Sequence, residues 1–192
     1  MTTAGIVLAA GEGSRFTGGT HKLLASLRGR PVLVWVVDAA LAAGLDEVLV
    51  VTGAVEVGPI LVEFGLADRV RLVDNRRWAE GQATSLGAGL AAAERAGHDV
   101  AVVGLGDQPL VPAAAWRLVA GADAELPIVV ATYGGKRRNP VRLSRSVWAE
   151  LPTEGDAGAR VLMAGRPELV SEVACPGEPA DVDTQEDLAR WS

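Results

Sequence analysis

The chain's 192 residues, 49% of them hydrophobic and 22% charged, fit one globular domain with a substantial core. A net charge of −6 argues against a nucleic-acid partner, because such binders are usually basic. One cysteine, Cys175, excludes an internal disulfide and suits a reducing cytoplasm, and no apolar run nears the roughly 20 residues that a membrane span needs.

Residues 1–11 carry no basic lead-in, and glycine breaks their apolar run. The sequence therefore predicts a strand over residues 5–9 rather than a signal peptide. A glycine-rich stretch fills residues 10–22. A helix is expected over residues 31–43, ended by Gly44, then a strand over Glu47–Thr52, a short helix over 58–64 and a strand over 70–73. An alanine-rich helix over 83–95 leads to a strand over 99–105, which runs into Gly106-Asp107-Gln108-Pro109, and then to a helix over 112–120. Beyond Pro127 the pattern loosens. Strands are expected at Ile128–Tyr133 and 140–143, joined by a turn over residues 134–138, with helices at 157–164 and 184–191, the last capped by Thr184. Nothing resembles a linker, so residues 1–192 read as a single domain.

This alternation of Val-, Leu- and Ile-rich strands with helices predicts an α/β fold whose mostly parallel sheet is covered on both faces. Such sheets bind ligands beyond the carboxyl ends of their strands, where the glycine-rich stretch and Gly106-Asp107 both fall.

The segment Leu8-Ala9-Ala10-Gly11-Glu12-Gly13-Ser14-Arg15-Phe16-Thr17-Gly18-Gly19-Thr20-His21-Lys22 has the makings of a phosphate cradle. Its glycines let backbone approach a ligand, its successive amides can form an anion nest, and Arg15 and Lys22 add positive charge. An ordinary connection would be shorter, about 2–6 residues. Two familiar loops are excluded. The dinucleotide fingerprint would need glycine where Phe16 stands, and a Walker A loop needs Gly-Lys-Ser/Thr, which is missing.

Asp107, at the end of a buried strand, suits either a turn before proline or a Mg²⁺ ligand beside a triphosphate. The run Asp181-Val182-Asp183-Thr184-Gln185-Glu186-Asp187 suits either a helix N-terminus or a second metal ligand, Asp183, with Asp181 as its alternate. Lys136-Arg137-Arg138 reads as a solvated turn or a contact to an anionic acceptor, and Trp78 as a core plug or a wall of the acceptor pocket.

Taken in order, LAAG-x-G-x-R…K, Asn75-Arg76-Arg77-Trp78-Ala79-Glu80-Gly81-Gln82-Ala83-Thr84-Ser85, Gly106-Asp107-Gln108-Pro109, Asn139-Pro140-Val141, Gly155-Asp156-Ala157-Gly158-Ala159-Arg160 and Asp181-Val182-Asp183-Thr184 form a specific set. The chain resembles the molybdenum cofactor cytidylyltransferases, within the nucleotide-diphospho-sugar transferase superfamily, over nearly its whole length. The resemblance implies a three-layer, Rossmann-like nucleotidyltransferase fold with a partly mixed sheet, nucleotide-binding in its N-terminal half and acceptor-binding in its C-terminal half. It implies that Leu8, Ala9, Ala10, Gly11 and Gly13, with the region from Gly81 to Ser85, hold the nucleotide. Arg15 and Lys22 would bind the triphosphate, and Asp107 and Asp183 would hold Mg²⁺, with Arg15, Lys22 and Asp107 as the catalytic set. Ala10, where GTP-using relatives carry glycine, favours CTP. This chain departs from the family in three places: six residues separate Arg15 from Lys22 rather than about four, Gly13 replaces a common serine, and Arg138 replaces the glycine before Asn139-Pro140.

The implied reaction is attack by an acceptor phosphate, such as that of molybdopterin, on the α-phosphorus of CTP, with release of pyrophosphate. A phosphomonoester with a second pKa of about 6 is already ionised near neutral pH and needs no general base. That agrees with a site of Arg, Lys and Asp; His21 and His98 lack partners at metal-ligand spacing and read as structural or solvated. The alternatives are guanylyl or cytidylyl transfer to another small phosphorylated acceptor, or a non-catalytic nucleotide-binding protein that serves a molybdoenzyme or its chaperone. Either way the resemblance implies a cytoplasmic protein without nucleic-acid or membrane partners.

Overall fold

The computed structural model describes residues 1–17, 19–123 and 125–192, so Gly18 of the glycine-rich stretch lies outside the described residues. The elements run β1 (Thr3–Ala9), β2 (Ser26–Leu27), β3 (Arg30–Pro31), α1 (Val32–Ala42), β4 (Glu47–Thr52), α2 (Gly58–Glu63), β5 (Arg71–Asp74), α3 (Gln82–Arg95), β6 (Val100–Leu105), α4 (Ala113–Ala120), β7 (Ile128–Tyr133), β8 (Lys136–Ser144), α5 (Ala159–Gly165), β9 (Val170–Ala174) and α6 (Gln185–Trp191). Seven strands make one sheet in the order β5-β4-β1-β6-β8-β7-β9. Only β8 runs against its neighbours, β6 and β7; the other pairs are parallel.

Strand side chains alternate between the two faces of the sheet, and both faces are buried. From β1, Ile6 and Leu8 enter one core while Val7 and Ala9 enter the other; from β4, Leu49 and Val51 part from Val48 and Val50 in the same way. The first core is roofed by α3 and α5 through Leu86, Leu90 and Leu162, the second by α1 and α4 through Leu33, Val37 and Trp116. Each buried side chain of this size contributes roughly 1.5–3 kcal/mol. Two-sided burial is why these strands read as unbroken apolar runs. No described helix is long and apolar enough to cross a membrane.

A third, smaller cluster joins distant parts of the chain. Phe16 of the glycine-rich loop, Leu27 of β2, Val32 of α1 and Val182 pack together, with Leu188 and Trp191 of α6 against them. Phe16 breaks the dinucleotide fingerprint because it serves as this loop's anchor, 7% exposed.

Two expectations change. The turn set at residues 134–138 is only Gly134-Gly135, both at positive φ (56° and 78°), and β8 begins at Lys136. Paired glycines of this conformation close a hairpin in two residues, so Lys136, Arg137 and Arg138 are strand residues. The strand β9 and the short β2–β3 hairpin were not foreseen.

Candidate active site

The glycine-rich loop leaves β1 with several of its carbonyls engaged and a run of amides without protein partners. The carbonyls of Leu8, Ala10, Gly11 and Gly13 already accept bonds, from the Gly106 amide (2.8 Å), the Ala54 amide (3.0 Å), His21 Nε2 (3.1 Å) and the Phe16 amide (2.9 Å). Among the described residues, the amides of Gly11, Glu12, Gly13, Ser14 and Arg15 donate to no protein group. Consecutive amides that lack protein partners and belong to residues lining a cavity are available to bind an anion.

His21 clips this loop. Its Nδ1 accepts the Leu23 amide at 3.2 Å, which leaves Nε2 to donate to the Gly11 carbonyl. Burial, ahead of the nearby Lys22 charge, pushes its pKa below the ordinary histidine value, in keeping with a neutral ring. Gly13 sits at φ 66°, and a Cβ there would lie 3.1 Å from His21 Nε2 and 3.2 Å from Lys22 Cγ. A serine would therefore crowd this longer loop.

Lys22 reaches across to the two distant acids. Its ammonium donates to Asp107 Oδ2 at 2.6 Å and to Asp183 Oδ1 at 2.9 Å, so these oxygens are at most about 5.5 Å apart, the two contacts laid end to end. Burial alone would lower the pKa of Lys22; Asp107 and Asp183 outweigh it and hold the pKa above the ordinary lysine value. Arg15 meets Asp183 Oδ2 at 2.9 Å, but its side chain is 75% exposed against 11% for Lys22. Its pairing is accordingly worth little. Asp107 Oδ1 is buried with no hydrogen-bond partner among the described residues, a costly state for a carboxylate oxygen.

Buried contacts bring Asp183 to this place. The Val182 amide donates to the Asp107 carbonyl at 2.9 Å, and the Val182 side chain is fully buried in the third cluster. Gln108 donates from one amide to the Pro179 carbonyl (3.1 Å) and to Asp181 (2.7 Å). Beyond Asp183, Thr184 and Asp187 form a capping box that starts α6. The run of acids is thus both a helix start and a site element.

A cavity of 370 Å³ lies over these groups, and the residues expected to hold the nucleotide, its triphosphate and the metal all line it: Leu8, Ala9, Ala10, Gly11, Gly13, Arg15, Lys22, Gly81, Ser85, Asp107 and Asp183. Ala10, however, is 3% exposed and belongs to the first core. Its methyl is packed inward, so any influence on the base acts through the position of the loop. Trp78, read as a core plug or a wall of the acceptor pocket, packs against the first core and on Gly53 and also lines this cavity. Asn75 binds Thr84 (3.0 Å) and Ser85 (2.9 Å), which fixes the start of α3. Asp156 and Gln82 also line the cavity; the GDAGAR and GQATS motifs carry them, yet neither side chain was singled out. Gly81, at φ 109°, packs so tightly beneath the 155–156 loop that a Cβ would lie 2.5 Å from the Gly155 backbone.

A second cavity, of 580 Å³, adjoins the first along Leu8, Gln82 and Leu105. Its floor includes Val103, Val130 and Val141, and Arg137, Arg138 and Arg160 stand in its wall. Strand pairing steps from Val130–Val141 to Ala131–Arg138, so Asn139 and Pro140 bulge out beside the cavity. Arg137 pairs with Glu172 at 2.7 Å; among the described residues Arg138 and Arg160 make no ion pair. Asp181 lines this cavity too, and desolvation first, then the charge of Asp107, raise its pKa.

Three comparisons bear on this arrangement. The family model described as MobA-like NTP transferase domain matches residues 5–172. The chain is 32% identical to nicotine blue oxidoreductase of Paenarthrobacter nicotinovorans, over 97% of this chain and 94% of that one. Rv0371c of Mycobacterium tuberculosis superposes with a TM-score of 0.84 at 31% identity, covering 99% of this chain and 96% of that one. A structure of Rv0371c in complex with manganese is also similar, with a TM-score of 0.79 at 29% identity over 100% of this chain and 98% of that one. A nucleotidyl transferase from Methanothermobacter thermautotroptrophicus gives a TM-score of 0.83 at 27% identity over 98% and 95% of the two chains. With its sheet order, its two-sided core and a family match over most of its length, the chain belongs to the MobA-like NTP transferase family.

Proposed function

We propose that the chain transfers CMP from CTP to the phosphate of a molybdopterin-type acceptor and releases pyrophosphate. The observation that carries this reading is the convergence of Asp107 and Asp183 on one buried cation, beside five amides without protein partners. The nest and Lys22 would hold the triphosphate, and Arg15, its side chain largely in solvent beside the same cavity, would reach it too. The acceptor oxygen attacks the α-phosphorus in line as the bond to the β-phosphate breaks. The protein's part is positioning and charge neutralisation.

Mg²⁺ fits the residues present. Asp107 has a buried oxygen without a partner, and Asp183 stands beside it. Among the described residues no three metal-ligating side chains cluster, which suits an ion that takes only one or two protein carboxylates and is otherwise held by phosphates and water. Bound there, the ion would neutralise charge that builds up on the phosphates.

In this reading residues 1–192 act as one cytoplasmic domain, with the first cavity for the nucleotide and the second for the acceptor. Arg138 and Arg160 support an anionic acceptor. A second reading, an oxidoreductase, is supported by the 32% identity with nicotine blue oxidoreductase. A carboxylate pair bridged by a buried cation has no evident part in hydride transfer, which favours the first. Incubation with CTP, GTP, ATP or UTP, Mg²⁺ and molybdopterin tests the first reading, and a parallel incubation with a reduced nicotinamide cofactor and nicotine blue as the hydride acceptor tests the second. Pyrophosphate released with CTP supports cytidylyl transfer. No pyrophosphate with any nucleotide, together with oxidation of a nicotinamide cofactor, establishes the second reading instead.

A further inference from the structure

The seat suited to a divalent metal already holds a cation of the protein's own. Lys22 binds one oxygen from each of Asp107 and Asp183, and its side chain is nearly buried. An ion that took these same oxygens would sit within a few ångströms of the ammonium, where two cations repel strongly. Nor can Lys22 simply withdraw, since its charge would lose both partners in a confined place. The nearby nest resolves this. Lys22 Cγ packs against Gly13, at the centre of the amides that donate to no protein group. A triphosphate seated there would give the ammonium new anionic partners within reach of its flexible stem.

We propose that Lys22 and the divalent metal are alternative occupants of the Asp107–Asp183 pair, so that the metal enters as the chelate of a triphosphate and binds weakly ahead of it. The exchange breaks no covalent bond: the ammonium passes from carboxylates to phosphate, and the metal takes the carboxylates. Arg15, largely in solvent, follows its neighbour at little cost. Asp107 Oδ1 remains as a further oxygen for the incoming ion. Lys22 thereby makes metal loading depend on nucleotide. The nucleotide part of this inference rests on the function proposed above; the competition between Lys22 and metal does not.

Mn²⁺ serves as the probe, with the free-ion electron paramagnetic resonance signal, corrected by a protein-free titration for the Mn²⁺ that the nucleotide analogue itself holds, reporting binding to the full chain. Wild type should bind Mn²⁺ at least tenfold more tightly when a non-hydrolysable α,β-methylene analogue of CTP is present. Lys22→Met should bind Mn²⁺ alone at least tenfold more tightly than wild type and should lose most of the gain from the analogue. Lys22→Gln, which keeps a hydrogen-bond donor but no charge, should shift the same way and guards against a misfolded methionine variant. Asp183→Asn should weaken binding in both backgrounds. The idea is overturned if folded Lys22→Met and Lys22→Gln bind Mn²⁺ alone no better than wild type, or if wild type binds it equally well with and without the analogue. The comparison with Mn²⁺ alone needs neither nucleotide nor turnover, so it stands or falls separately from the cytidylyl assignment.

Discussion

The two cavities meet at Leu8, Gln82 and Leu105, yet they are built from different materials. The first cavity, proposed for the nucleotide, is lined by a loop whose amides at residues 11–15 donate to no protein group among the described residues, plus two acids held by a lysine. The other side is mostly side chains: an apolar floor of valines and a wall of arginines on a bulged strand. Backbone cradles recognise what all nucleoside triphosphates share. Side-chain walls recognise what one acceptor has and another lacks. Four experiments probe that division.

The largest effect should come from the shared metal seat. Asp107→Asn should cut turnover by about 1000-fold, roughly 4 kcal/mol of barrier, in a pyrophosphate-release assay. Asp181→Asn, on the other cavity, should cost far less. Equal losses would mean that Asp181 belongs to the metal seat as much as Asp107 does.

A smaller effect should follow from the arginine wall. Replacing both Arg138 and Arg160 with alanine should raise KM for the acceptor about tenfold, roughly 1.4 kcal/mol, and leave KM for the nucleotide in place. Steady-state kinetics with each substrate varied in turn will decide. A rise confined to the nucleotide would reverse the roles of the cavities.

The His21 clip predicts a pH dependence on the nucleotide side. Because the folded state favours the neutral ring, the clip is intact above the ordinary histidine pKa of about 6.5 and is lost as pH falls below it. Protonated Nδ1 would face the Leu23 amide, donor against donor. Nucleotide affinity measured by calorimetry should drop roughly threefold through that window, the scale of one hydrogen bond, and His21→Gln should flatten the profile. An unchanged profile in the variant would remove His21 from the account.

The smallest effect belongs to Ala10→Gly. Since the Ala10 methyl is in the core, its loss should cost about 1 kcal/mol of stability and shift the preference for CTP over GTP by only a fewfold. A tenfold shift in competitive binding would show that the methyl touches the base after all.

Much of this was legible from periodicity. The bounds of β4 and β7 match the sequence reading, because their apolar runs stop at polar or turn residues. The family landmarks led to every proposed ligand of the first cavity. What escaped notice has physical reasons. Strand β9 (VSEVA) is a short edge strand with exposed alternate positions, and β2 and β3 have two residues each. Arginines 137 and 138 looked like a turn because a two-glycine hairpin was allotted five residues. The inward methyl of Ala10 was readable in principle, since a count of two from Ile6 and Leu8 puts it on their face. The bridge from Lys22 to both acids was not, since no local pattern ties residue 22 to residues 107 and 183.

The cluster of Phe16, Leu27, Val32 and Val182 also bears on the protein's life before it is finished. All pairings of the seven-stranded sheet involve residues up to 174, ahead of the segment that carries Asp183. The seat for Asp183 cannot form with them, because Val182 must first return across more than 160 residues to the loop around Phe16. Such long-range closure comes late and slowly in folding. A growing chain would thus have most of its sheet before Asp183 could reach Lys22, which would wait with Asp107 alone until the segment around Val182 had returned to the loop.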